Sequence, residues 1–201
     1  MNLLLIIEIP LTMDYSEFSK DLLNLYQKMS EAFSGFQKKI DLPCLPGCGQ
    51  CCLNPEVEAS VYEMIPMAFE IIAENKFDEV LNQLNQGSPS CIIYQAQSPD
   101  GSKGQCGRYH SRPSLCREFG ASGFTNKYGS PELSLCKLIK LQYPDKYQET
   151  VIDQEAPQMK EWTYQLMSLH PDLVKERYPI NQALRFALEK ILFWMTYQNK
   201  A

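Results

Sequence analysis

Four of the nine residues in CLPGCGQCC, residues 44 to 52, are cysteine, and Pro46, Gly47 and Gly49 stand between them. Proline and glycine are the poorest helix residues, so this stretch resists a continuous helix. Thiols two or three residues apart reach one centre only if the backbone turns with them, and glycine permits the left-handed conformations that such a turn needs. All eight cysteines, Cys44, Cys48, Cys51, Cys52, Cys91, Cys106, Cys116 and Cys136, fall between residues 44 and 136. A chain of 201 residues with 44% hydrophobic content can bury a core that holds without disulfides. Stabilisation therefore does not account for the thiols.

The compartment matters to their chemistry. The N-terminus, MNLLLIIEIPLTM, has no Lys or Arg before its apolar run, contains Glu8 and lacks a small-residue cleavage site. It is a poor signal peptide, and it is far shorter than the roughly 20 apolar residues of a membrane span. Residues 1–13 read as a tail, with Met13 as an alternative start of translation. A cytoplasmic protein is the expectation, and in that reducing compartment a cysteine cluster points to metal or redox chemistry. The formal net charge of −5 shows no basic footprint, so neither nucleic acid nor an anionic membrane is an expected partner.

The flanks read as helices. Asp14 and Glu17 form a candidate capping box ahead of Phe18, Leu22, Leu25, Met29, Phe33 and Phe36 at three-and-four spacing. Ser60 and Glu63 repeat the box ahead of Met64, Ile65, Ala68, Ile71 and Ile72, with Pro66 straining the first turn. Phe77, Val80, Leu81 and Leu84 predict a helix ending at Gly87, and Ser98 to Gly104 predicts a loop. Ser130 and Pro131 predict a helix start, with Cys136 inside that helix. Further helices are expected from Pro157 to Leu169, after Pro171, and from an Asn181 cap with Leu184, Leu188, Ile191, Leu192 and Met195 inward. The expectation is a mostly α protein, one domain over 14–201, whose amphipathic helices surround an irregular cysteine-rich metal centre at 40–140 and continue through a helical part at 141–201.

Cys48 and Cys51 form a C-x-x-C pair, with Cys44 four residues before it, and Cys106 and Cys116 form a second turn beyond a long loop. Cys48, Cys51, Cys106 and Cys116 are the leading ligands, because two such turns can close on one tetrahedral centre. Cys44, Cys52, Cys91 and Cys136 are candidates for a second centre. The cofactor would be zinc or an iron–sulfur cluster, since tetrathiolate ligation suits both. Arg112 and Arg117 are candidate donors to the ligand sulfurs, offsetting their charge. His110 is a minor ligand candidate and His170 a structural residue. Glu56, Glu58 and Glu63 are expected to serve helix starts. No G-x-S-x-G or H-E-x-x-H motif marks a catalytic residue, and enzymatic activity is left open.

The combination of C-x3-C-x2-CC with a later C-x9-C block containing Arg112-Pro113 and Cys116-Arg117 resembles the YkgJ-type cysteine-cluster family, described as zinc- or iron-chelating domains. Cys44, Cys48, Cys51, Cys52, Cys91, Cys106 and Cys116 supply that pattern's cysteines over roughly residues 40 to 120. Gly107-Arg108-Tyr109 stands where Ile-Tyr is common, and the insertion between Cys91 and Cys106 is longer. The resemblance implies metal chelation. Through the related flagellin lysine methylases it also implies, as an alternative, an iron–sulfur protein linked to protein lysine methylation, although no G-x-G-x-G loop is present here. A thiol redox protein is the second alternative; eight thiols exceed the two that such exchange requires.

Overall fold

The computed structural model describes residues 13–150 and 156–198, so residues 1–12 of the expected 1–13 tail lie outside it, while Met13 packs against the main core. Asp14 caps α1 (Tyr15–Lys39): its Oδ1 accepts from the backbone N–H of Ser16 at 2.8 Å and of Glu17 at 3.2 Å. The helix buries Phe18, Leu22, Leu25, Met29, Phe33 and Phe36, as their spacing predicts, together with Tyr15 and Tyr26. Each such side chain contributes roughly 1.5–3 kcal/mol of burial. After the cysteine loop and the one-turn helix α2 (Gln50–Leu53) comes β1 (Glu58–Ser60).

The Ser60–Glu63 capping box forms in both directions, Ser60 N to Glu63 Oε2 at 2.9 Å and Glu63 N to Ser60 Oγ at 3.2 Å. It opens a 3-10 turn over Tyr62–Met64, and Pro66 sits in the first turn of α3 (Ile65–Ala73), where its missing N–H costs nothing. Next come α4 (Phe77–Gln86), β2 (Tyr94–Ala96), β3 (Gly104–Cys106), α5 (Ser114–Glu118) and β4 (Ala121–Thr125). The chain continues with β5 (Pro131–Leu135), α6 (Lys137–Gln142), α7 (Pro144–Thr150), α8 (Met159–Leu169), β6 (Arg177–Pro179) and α9 (Ile180–Gln198). Most of the regular structure is helical. The strands pair antiparallel in three ribbons, β1 with β6, β2 with β3 and β4 with β5.

Two cores form among the described residues. The main one packs α1 against α3 and α8, and α9 against α3 and α4, and it takes in Cys52, Cys91 and Cys116. The second gathers Phe36 and Leu42 with Ala121, Leu133, Leu135, Ile139 and Ala156, with Cys136 packed on its edge. Helix α1 contributes to both. No helix among the described residues is long and apolar enough to cross a membrane.

Four expectations are corrected. Pro131 begins strand β5 rather than a helix, because Leu133 and Leu135 alternate inward to the second core while Asn126 Oδ1 accepts from Tyr128 and Ser130 to close the hairpin. Cys136 accordingly precedes α6 instead of lying within a helix. Asn181 lies inside α9 and does not cap it; its side chain reaches the Cys91 segment, accepting from Ile92 N at 3.0 Å and donating to Ser90 O at 2.8 Å. The buried stripe of α9 ends at Ile191, with Leu192 exposed and Met195 half-buried; the short helix expected after Pro171 is present as a 3-10 turn over Pro171–Leu173.

Candidate metal centre

The cysteine loop turns twice. Gly47 and Gly49 take positive φ angles of 64° and 62°, the left-handed region where a side chain is strained. Cys48 N donates to Leu45 O at 3.2 Å, and Gly49 O then accepts from Cys52 N at 2.9 Å to start α2. Cys51 and Cys52 thus stand on a single helical turn, so the resistance of this stretch to helix holds only as far as Gly49. A Cβ on Gly49 would come 2.5 Å from the Tyr94 ring and 2.9 Å from Gly104 O. This close approach brings the loop against the β2–β3 ribbon, where Gly104 N donates to Gly47 O at 2.8 Å. Register does the rest: Cys106 pairs with Tyr94, and Cys91 N donates to Cys52 O at 2.9 Å.

Six of the eight thiols, those of Cys44, Cys48, Cys51, Cys52, Cys106 and Cys136, line one cavity of about 900 Å³. Its walls come from both cores, with Cys51, Cys52 and Cys106 on the main one and Leu135 and Cys136 on the second. Cys91 and Cys116 are buried in the main core outside this lining. Cys44 is the exposed member, its N–H held by Gln37 Oε1 at 3.2 Å. Among the described residues no three Cys, His, Asp or Glu side chains converge as a ready metal cage.

The sulfurs at the centre already interact. The Cys52 thiol hydrogen-bonds to the sulfurs of Cys51 and Cys106, which pulls Cys51 down to about 6 and Cys106 to about 7 and pushes Cys52 upward. Arg112 in the cavity wall adds to both downward shifts. Burial works the other way at the remaining sites: it raises Cys91 to about 12, lifts Cys116 well above the usual thiol range, and raises Cys44, where the neighbouring thiols add to it. Burial thus favours the protonated form of the Cys91 and Cys116 thiols. Soft sulfur donors at this density match zinc or iron, whose binding displaces thiol protons.

The candidate arginines point differently. The Arg112 guanidinium lies 3.6 Å over the Tyr109 ring, with its Nε buried and without a hydrogen-bond partner. Arg117 is buried beside Tyr26 and donates to Ser30 Oγ and to the His110 carbonyl, and burial lowers it to about 10. The His110 side chain is exposed. His170 stacks on Tyr62 at 4.7 Å, a structural placement. Of the three glutamates, Glu58 lies in β1 and not in a helix start, Glu56 is exposed, and Glu63 is fully buried with a role beyond its capping box.

Sequence reasoning missed Glu118. It lines the cavity beside the thiols, and burial, reinforced by Glu63, raises its carboxyl to about 7. Nothing in SLCRE marked it, since its surroundings come from distant segments. Gln37, which accepts from Cys44 N, was equally silent, and Asn181, expected as a cap, instead bonds Ser90 and Ile92 on either side of Cys91.

A family model named for the CxxCxxCC motif and described as "putative zinc- or iron-chelating domain" matches residues 43–137. No curated protein and no solved structure matches the chain. The matched span contains every cysteine together with α2 to α5 and β1 to β5. Residues 43–137 thus match the CxxCxxCC family model, in agreement with the resemblance carried by the cysteine spacing.

Proposed function

We propose that the protein is a cytoplasmic metal-binding protein, one domain over 14–201, which holds zinc or iron in the thiol cavity. The observation that carries this reading is the gathering of six thiols from three separated stretches, 44–52, 106 and 136, around one space. Cys48, Cys51 and Cys106, which line the cavity, are the first ligands, and Cys116, buried in the main core outside the lining, completes the proposed set. The hydrogen bonds of Cys52 to both Cys51 and Cys106 favour counting it among the ligands as well. Arg112, with a buried unpartnered Nε in the cavity wall, would offset the charge of the thiolates. Bound metal would supply a cross-link between chain segments and, where a coordination position stays open, Lewis acidity. The chain's own residues set the rest: Gly47 and Gly49 turn the loop, and Gly104 docks it.

Oxygen-free purification followed by elemental analysis and a visible spectrum tests the proposal. Zinc or iron at one or two per chain is the expected result. A colourless zinc protein and a brown iron–sulfur protein separate the two cofactors. Folded protein that carries neither metal and takes up neither on reconstitution would overturn it.

A further inference from the structure

Glu63 is a carboxylate with 0% exposure, and its two oxygens serve different segments. Oε2 accepts from Ser60 N at 2.9 Å and Arg177 Nη1 at 3.2 Å, tying β1 to β6. Oε1 accepts from Ser114 N at 3.1 Å and from the Ser114 hydroxyl. Its own carbonyl accepts from Tyr26 OH of α1 at 3.0 Å.

The second pair of bonds has a specific consequence. Helix α5 follows Pro113, whose side chain has no oxygen to cap the first free N–H of the helix. A carboxylate from 51 residues earlier takes that place. Ser114 stands two residues before Cys116, and α5 also carries Leu115 and Glu118 into the cavity wall. A five-residue helix has too few internal hydrogen bonds to fix its own position.

We propose that Glu63 is a positioning residue for the thiol site: by capping α5 it sets the depth of the Cys116 sulfur and the aim of Glu118 relative to Cys51 and Cys106. What Cys116 then does rests on the metal-binding reading; how it is held does not. A merely structural buried glutamate would lower stability when replaced, without singling out α5.

The test compares Glu63→Gln, which weakens the cap, and Ser114→Ala, which removes the hydroxyl bond that reinforces it, with Arg177→Met, which removes one of the two partners of Oε2 and leaves the cap in place. Cys116 alkylation by iodoacetamide is followed by peptide mass mapping in the native protein, with zinc affinity measured alongside by competition with a chromogenic chelator. Glu63→Gln and Ser114→Ala are expected to speed Cys116 alkylation at least tenfold and to weaken zinc binding about tenfold. Arg177→Met is expected to lower the melting temperature with alkylation within twofold of the parent. Equal Cys116 rates in all three variants at comparable loss of stability would overturn the proposal. Ser114→Ala keeps the test decisive if Glu63→Gln fails to fold. Should the parent bind no zinc, the alkylation arm still decides the positioning role, and the failure belongs to the metal reading alone.

Discussion

Gly49→Ala probes the left-handed turn between Cys48 and Cys51. Gly49 has a φ of 62°, and an added Cβ would sit 2.5 Å from Tyr94 Cε2 and 2.9 Å from the Gly104 carbonyl oxygen. The Tyr94 ring cannot swing away freely, because its hydroxyl donates to Gly101 O at 2.9 Å. The left-handed conformation costs a side-chain-bearing residue about 1–2 kcal/mol. Forcing a methyl into an occupied contact costs about 1–3 kcal/mol more. Stiffening of the unfolded chain returns about 0.4–1 kcal/mol. A net loss of about 3 kcal/mol corresponds to a drop of roughly 6–12 °C in a chain of this size. Gly101→Ala is the control: its φ is 69° but nothing lies within 4 Å of an added Cβ, so it bears the conformational cost alone. Urea unfolding of both variants reads the difference, and metal content per chain reads the displacement of the loop. Equal destabilisation by the two substitutions would refute the claim that close approach to Tyr94 and Gly104 docks the thiol loop.

Four further outcomes are expected. Cys48→Ser and Cys116→Ser should each lower metal per chain and, through coupling of metal binding to folding, the melting temperature; full occupancy in both would show that neither is a ligand. Asn181→Ala, which removes the bonds to Ile92 N and Ser90 O, should cost about 1–3 kcal/mol in chemical denaturation and speed Cys91 alkylation. The bidentate pairing with Arg108 holds Glu74 down at about 2, so its contribution is full above the ordinary value of 4.5 and lost as pH falls toward 2; an NMR titration of Arg108→Met should return the Glu74 midpoint toward 4.5. Chelator treatment should increase amide exchange in the Cys44–Cys52 loop and in β3 while leaving the buried face of α1 protected; uniform loss of protection would tie the whole fold to the metal.

The helices were legible where local chemistry and burial agree. Asp14 and Ser60 are caps whose partners lie within three residues, and α1 repeats its apolar spacing over seven turns, so no distant contact could change either result. Pro131–Leu135 misled because a five-residue strand shows only two inward positions, while Ser-Pro is also an ordinary helix start. Asn181 misled for a related reason: its capping chemistry is directed at a segment 89 residues earlier in the chain. In the site, spacing identified the thiols and the turn between them. It could not supply Glu118, whose raised carboxyl arises from burial, nor Gln37, which shares no motif with Cys44.

The division of the thiols between two cores bears on why one chain carries so many. Cys51, Cys52, Cys91, Cys106 and Cys116 belong to or pack on the main core, whereas Cys136 packs on the second, and the cavity lies between them. Helix α1 already joins the cores through Phe36, and the β4–α8 side adds the bond from Gly123 N to Pro157 O at 2.9 Å. A metal held only by thiols of the main core would cross-link loops that the Gly47–Gly104 and Cys52–Cys91 hydrogen bonds already hold together, with little further gain. A metal that also drew on Cys136 would bind one core to the other. Thiols on both walls therefore have a use that sulfur chemistry alone does not require. On the proposed reading, ligands of the main core would set affinity, and Cys136 facing them would determine whether metal binding is felt by the second core.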